Sequence, residues 1–240
     1  MALVVSGGTS IDPDTAARLC AEVPTASPRP RVPAAWGRGE RWTGHVRALA
    51  ADEEAQVEVT VALPGTAADD PDRSAMAVMN HVLGSGMGSR LFHTVRERHG
   101  LCYRIGSGHD HFDDAGMFVI STATRPGDAV RALELSRGEL LRLADEAVPE
   151  DELRAARASM VGRLLRGTET AGSSAHWYAS RWRAGLPLET PDDRAAAIDA
   201  VSAQDVTRAA RRIAAGLADA RLAFVGPEEQ GAELLGAVTG

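Results

Sequence analysis

Alternating valines constrain the fold of this chain more than any other feature of its sequence. In "AQVEVTVALPG", Val57, Val59 and Val61 alternate with the polar residues Glu58 and Thr60. This period of two residues predicts a β-strand with one buried face. Such a strand needs a sheet that is covered on one side, so the chain must supply further strands and helices.

The remaining patterns predict those elements. Two strand-like runs, "LCYRIGSGHDHF" and "GMFVISTAT", flank a turn at residues 113–116 and predict a β-hairpin, and "RLAFV" predicts a closing strand. Helical patterns cover residues 71–83, 91–98, 128–146, the segment from Pro149, residues 173–184, "PDDRAAAIDA" and "SAQDVTRAARRIAA". Ser202 and Asp205 form a capping box at the start of the last one. The order of these strands and helices along the chain predicts an α/β or α+β fold, in which a mixed or antiparallel sheet has helices mainly on one face.

The amino-terminal part differs in composition from the rest. Residues 2–6 predict a short strand, and Asp12-Pro13 predicts the start of a helix that ends near Glu22. The following run, "PTASPRPRVPAAWGRGERWTG", is rich in Pro, Arg and Gly and has no apolar period. We therefore predict a strand–helix remnant of a preceding domain at 1–24, a linker at 25–44 and a main domain at 45–240.

Charge and composition exclude several classes of protein. The formal net charge is −7, which disfavours a nucleic-acid partner. All 26 basic residues are arginine, so the chain has neither a P-loop lysine nor a Schiff-base lysine. No apolar run predicts a membrane span or a signal peptide. Cys20 and Cys102 lie in no paired motif, which predicts a cytoplasmic protein without a disulfide framework.

Metal and nucleophile motifs are scarce in the sequence. Neither H-E-x-x-H nor H-x-x-E-H occurs, and His109 and His111 are the histidines with ligand-like spacing. A polar hairpin end explains that pair better than a metal does, so we predict no metal site. No G-x-S-x-G elbow occurs, and the apolar neighbours of Cys102 predict a packed thiol.

One glycine-rich stretch, "LGSGMGSRLFHTVRERHGLCYRIGSG", remains to be explained. Without a lysine, the spacing of Gly84, Gly86 and Gly88 is only a weak sign of phosphate binding. Arg96 and Tyr103, seven residues apart across a helix end, can both donate to a peptide carbonyl without a metal. The residues alone also allow a surface ion pair at Arg96 and a core tyrosine.

The same stretch resembles a known family. "GSGMGSRLFHTVRERHGLCYRIGSG" and "DAGMFVISTAT", with "VPEDELRAARASMVGRLL", "GTETAGSSAHWYA", "IDAVSAQDVTRAARRI" and "RLAFVGP", are similar to the carboxy-terminal half of insulinase-type, or pitrilysin-like, metallopeptidases. The similarity covers residues 47–227, and "LVVSGGTSIDPDTAARL" resembles the end of the amino-terminal domain of that family. The mitochondrial-processing-peptidase-like bacterial branch is the most similar.

The resemblance implies a function for the residues that it covers. In this family a zinc-bearing half with H-x-x-E-H faces a zinc-free half that contributes an Arg and a Tyr to substrate binding; here those are Arg96 and Tyr103. It also implies a substrate-chamber loop at Gly84, Gly86, Gly88 and Ser89. The expected protein is a zinc-free, substrate-binding subunit, inactive alone, whose homologous partner carries the zinc and cleaves peptides or precursor leaders. A catalytically inactive structural or peptide-binding subunit of a larger complex is the alternative.

Overall fold

A computed structural model describes residues 4, 12–22, 46–49, 56–112, 115–183 and 185–240. The chain divides into two compact units, one formed by residues 44–165 and 189–240 and the other by residues 1–43 and 166–188. The β-strands are β1 (Val46–Leu49), β2 (Val57–Pro64), β3 (Cys102–His111), β4 (Gly116–Thr124) and β5 (Arg221–Val225). The α-helices are α1 (Pro13–Glu22), α2 (Arg73–Gly84), α3 (Ala129–Asp145), α4 (Glu150–Gly167), α5 (Ala171–Arg183), α6 (Pro191–Asp199), α7 (Ala203–Ala214) and α8 (Gly231–Thr239).

The larger unit is built on a mixed sheet with strand order β1-β5-β2-β4-β3. The pairs β5–β2, β2–β4 and β4–β3 are antiparallel, and β1 pairs with β5 in parallel. The predicted hairpin is thus β3–β4, although residues 113–114 of its turn lie outside the described residues. The mixed sheet confirms the predicted fold class.

Alternation in β2 decides which face of the sheet is covered. Val57, Val59, Val61 and Leu63 are at most 2% exposed and belong to the main apolar core. Helices α2, α3 and α7 contribute the other side of this core, through residues such as Met76, Leu133, Leu140, Val206 and Ile213. The opposite face carries small and polar side chains, with Thr60 Oγ1 3.1 Å from Ser121 Oγ across β2 and β4. The helices therefore cover one face of the sheet, as the valine pattern predicts.

Capping residues set the helix starts. Ser202 and Asp205 form the predicted capping box at α7, and Thr190 with Asp193 forms an equivalent box at α6. Asp12 accepts a hydrogen bond from the Thr15 N–H at the start of α1. These side chains satisfy backbone N–H groups that the helix itself leaves unpaired.

Two features differ from the sequence prediction. The segment predicted as a helix over residues 91–98 is a π-helix over Phe92–Arg98. Strand β1 is missing from the sequence prediction, because a segment of four residues is too short to establish an alternating pattern. The predicted strand at residues 2–6, apart from residue 4, and the linker at 25–44 lie outside the described residues. Among the described helices, none is long and apolar enough to cross a membrane.

Candidate functional site

The glycine-rich segment connects α2 to the π-helix. Ser85 follows the last residue of α2, and Gly86 has a φ of +102°, a left-handed conformation that favours glycine. Gly86, Met87 and Gly88 are exposed, whereas Ser89 is only 2% exposed. The Ser89 hydroxyl donates to the Gly86 carbonyl at 2.7 Å, which closes the turn from within.

The predicted loop residues fall into two groups. Gly84 is the buried last residue of α2, and a Cβ there would lie 2.4 Å from Ser107 Oγ and 2.5 Å from the Ser107 backbone nitrogen. Its lack of a side chain lets α2 approach β3. A Cβ at Gly86 or Gly88 would meet no atom within 4 Å in the part of the chain that the structure describes. Gly84 and Ser89 therefore shape the loop from inside, and Gly86 and Gly88 form its accessible surface.

Arg96 and Tyr103 are brought together by the π-helix and the start of β3. The Arg96 Cζ atom lies 5.6 Å from the centre of the Tyr103 ring and 4.8 Å from the centre of the Phe92 ring. Both distances are within the range of cation–π attraction. Phe92 is thus part of this contact, and its four-residue separation from Arg96 is the sequence signal that could have indicated it.

Both members of this pair face solvent. Tyr103 is 75% exposed, and Arg96 is exposed as well. Within the described part of the chain, no carboxylate pairs with Arg96 and the Tyr103 hydroxyl makes no hydrogen bond. Tyr103 is therefore not a core residue, and Arg96 is not part of an ion pair with a described residue. An Arg and a Tyr held in this way leave their N–H and O–H donors free for a ligand.

A buried hydrogen bond attaches the π-helix to α3. Thr94 Oγ1 donates to Glu139 Oε1 at 2.7 Å, and Glu139 is only 3% exposed. Arg142 lies 3.2 Å from the other carboxylate oxygen of Glu139. Sequence reasoning missed this contact because Thr94 and Glu139 are far apart in the chain. π-Helical turns are frequent at functional sites, and here the turn is fixed from its buried side.

The histidine pair of β3 has a structural arrangement. The rings of His109 and His111 are 3.9 Å apart between centroids. The Thr66 backbone N–H donates to His109 Nε2 at 3.0 Å, and His111 Nδ1 lies 3.0 Å from the Thr66 carbonyl. Burial, followed by the neighbouring His111, lowers the pKa of His109 to about 4. Both imidazoles thus bind the loop after β2.

The other candidate chemical groups are also accounted for. Among the described residues, no group of three or more His, Cys, Asp or Glu side chains is placed to hold a metal ion. Cys102 is buried, and burial raises the pKa of its thiol, so it stays protonated and unreactive at neutral pH. Arg96, Tyr103 and the loop at residues 86–88 are the predicted site residues of this stretch that are exposed.

Comparison with known proteins identifies relatives of this chain. The family model described as "Peptidase M16 inactive domain" matches residues 1–160. An uncharacterized zinc protease of Streptomyces coelicolor is 33% identical over 185 residues, which are 77% of this chain and 40% of that protein. The chain thus spans less than half the length of this relative.

Two solved structures show the same fold. A peptidase M16 inactive domain from Pseudomonas fluorescens superposes with a TM-score of 0.67 at 23% identity, over 76% of this chain and 43% of that one. A chain of the Complex III2 structure from Candida albicans superposes with a TM-score of 0.65 at 15% identity, over 76% of this chain and 46% of that one.

Proposed function

Because this chain belongs to the family of peptidase M16 inactive domains, we propose that it is the zinc-free, substrate-binding subunit of a heterodimeric zinc endopeptidase. Its relative in Streptomyces coelicolor is named as a zinc protease, and the matched model is that of the inactive domain. The partner is a homologous subunit with an H-x-x-E-H motif. The substrate is a peptide or a precursor leader that both subunits hold.

The exposed Arg96–Tyr103 pair is the observation that carries this proposal. Long exposed side chains lose conformational entropy when a ligand immobilises them, which weakens binding. The stack on Phe92 and Tyr103 limits the positions of the Arg96 guanidinium before any ligand arrives. The donors of Arg96 and Tyr103 are therefore better suited to binding a ligand than to stabilising the fold.

The donors match the chemistry of a peptide. A guanidinium has N–H groups around its edge, so stacking on its faces leaves those groups free. A phenol adds one O–H donor. Together they can bind two backbone carbonyls of an extended peptide, or one carbonyl oxygen that gains negative charge during cleavage. Neither group needs to change its protonation state.

The donor set of the described chain does not fit zinc. His109 Nε2 already accepts the Thr66 N–H, and no third ligand is grouped with His109 and His111. A catalytic zinc needs three protein ligands and an open position. In this proposal the zinc is therefore held by the partner, and this chain contributes binding and orientation of the peptide.

The test is peptide cleavage by the complex reconstituted with Arg96→Ala or Tyr103→Phe. Each variant is expected to lower kcat/KM by roughly 30- to 1000-fold, since removal of a donor to a developing oxyanion costs about 2 to 4 kcal/mol. Thermal unfolding of the subunit is expected to stay unchanged, because both side chains are exposed. Arg98→Ala, on an exposed arginine of the same π-helix, is the matched control. Full activity in both variants would refute the assignment.

A second candidate is a catalytically inactive structural subunit of a larger complex. The similarity to a chain of the Complex III2 structure favours it, although at 15% identity that similarity concerns the fold alone. This candidate predicts that Arg96→Ala and Tyr103→Phe leave every activity of the assembled complex unchanged. The cleavage measurement therefore separates the two functions.

A further inference from the structure

A cavity of about 300 Å³ lies beside the glycine-rich loop, between the end of α2 and the middle of α4. Its lining includes His81, Met87, Glu152 and Arg163, and includes neither Arg96 nor Tyr103. Its volume is at the lower end of the range for small-molecule sites, enough for one or two amino-acid side chains.

Two charged side chains, Arg163 and Glu152, line this cavity, and they differ in their partners. Arg163 Nη2 lies 3.4 Å from His81 Nδ1, and no carboxylate of the described residues forms an ion pair with Arg163. Glu152 is compensated, because Arg90 Nε and Nη2 donate to its two oxygens at 2.8 Å and 2.7 Å. The charge of Arg163 is therefore left uncompensated within the described chain.

The histidine adds a second donor. Since a guanidinium N–H can only donate, His81 Nδ1 accepts and Nε2 carries the ring proton. Burial and the nearby Arg163 lower the pKa of His81, so the imidazole is neutral at pH 7. An anion that bound here would meet a full positive charge and a neutral N–H donor.

The walls suit an aliphatic stem that ends in such an anion. Val82, Ala155 and Ala156 supply apolar surface, and Met87 is 76% exposed at the loop. A Cβ at Gly88 would meet no atom of the described residues within 4 Å, so their packing does not require glycine at this position. The lack of a side chain at Gly88 keeps the space beside the cavity open.

We propose that this cavity binds a carboxylate of a peptide, with Arg163 and His81 as donors and the apolar wall against the adjoining methylene groups. The inference rests on the proposed function for the choice of a peptide as the ligand. An acidic side chain and a free carboxy terminus present the same chemistry, and the experiment distinguishes them.

The test is binding to the isolated chain, followed by ¹H–¹⁵N NMR at the amides of the loop and the ring of His81. The probes are N-acetyl-glutamate N-methylamide, its glutamine analogue, N-acetylglycine and inorganic phosphate. We expect the glutamate probe or N-acetylglycine to bind about tenfold or more tightly than the glutamine probe, because a hydrogen bond to a charged group is worth about 1.5 to 3 kcal/mol. The tighter of the two identifies the source of the carboxylate.

The variants locate the site. Arg163→Gln is expected to weaken binding by about tenfold or more, whereas Arg154→Gln, an exposed arginine of α4 outside the cavity, is expected to leave it unchanged.

Affinity should increase as the pH falls from 7.5 to 5.5, because a bound carboxylate favours the protonated His81. The other charged groups here are Arg163 and Glu152, with Arg90 paired to Glu152. His81→Gln should remove the pH effect.

Three results would overturn the proposal. They are binding of the glutamate probe and of N-acetylglycine no tighter than that of the glutamine probe, tighter binding of phosphate than of either carboxylate, and unchanged affinity in Arg163→Gln. Each is a direct binding result on the unpartnered chain, so it leaves the cleavage test of Arg96 and Tyr103 unaffected.

Discussion

At the scale of single residues, Gly84 shows how closely α2 and β3 are packed. Gly84→Ala is expected to lower the free energy of unfolding by about 1 to 3 kcal/mol, the usual cost of overpacking, because the new Cβ would lie 2.5 Å from the Ser107 backbone nitrogen. Gly88→Ala is the matched control and should be nearly neutral, since its Cβ would meet no other atom. Urea unfolding of the two variants measures the difference; equal stability would contradict the packing argument.

His109 predicts a pH dependence of stability. Its pKa is about 4 in the folded chain and near 6.5 when unfolded, so the unfolded state binds more protons between these values. The contribution of His109 to stability is therefore fully present above pH 6.5 and is lost as the pH falls toward 4. Urea unfolding at pH 7.5 and 5 should show a larger loss in the wild type than in His109→Gln. The same loss in both would contradict the lowered pKa.

Individual residues also show what sequence spacing can and cannot predict. Spacing did not assign Arg96 and Tyr103 to one site; the family resemblance did, and in the structure the guanidinium lies 5.6 Å from the centre of the phenol ring. Spacing did not separate Gly84 from Gly86 and Gly88, because the clash with Ser107 depends on a partner strand over twenty positions away. Arg163 and His81 were missed for the same reason, since only the packing of α4 beside α2 brings them together.

At the scale of elements, the capping box of α7 gives a direct test. Ser202 Oγ accepts the Asp205 N–H at 3.2 Å, and Asp205 Oδ2 accepts the Ser202 N–H at 2.9 Å. Ser202→Ala is expected to lower the free energy of unfolding by about 1 kcal/mol. Ser159→Ala, at an exposed position inside α4, should have little effect or stabilise slightly. Thermal unfolding compares them, and an undiminished melting temperature in Ser202→Ala would show that the cap is dispensable.

Elements with local signals were predicted, and elements that depend on distant partners were not. The caps of α7 and the alternation of β2 lie within a few residues of chain, so sequence patterns contain them. Strand β1 has four residues and exists through its parallel pairing with β5, at the other end of the chain. The π-helix is held by Thr94 and Glu139, which are also far apart in sequence. Periodicity carries no information about such pairings.

At the scale of the whole molecule, the larger unit leaves part of its sheet uncovered. Helices pack on the face of Val57, Val59 and Val61, whereas Glu58 on the other face is exposed. In the described sheet, β1 and β3 are the edge strands. Exposed sheet edges favour association with another chain. We therefore expect the chain to pair with its zinc-bearing homologue, or with itself when that homologue is absent.

The last prediction concerns what the chain does alone and in that pair. The isolated chain should bind no stoichiometric zinc and hydrolyse no peptide, because the described residues offer no three-ligand group. Addition of an H-x-x-E-H subunit should produce one heterodimer in sedimentation velocity, with zinc at one per complex by metal analysis and with peptide cleavage.

The partner alone, at equal zinc occupancy, is the control and should cleave poorly, because Arg96 and Tyr103 are then missing from the substrate site. One tightly bound zinc per isolated chain, together with hydrolysis by that chain, would contradict the division of roles, as would full activity of the partner alone.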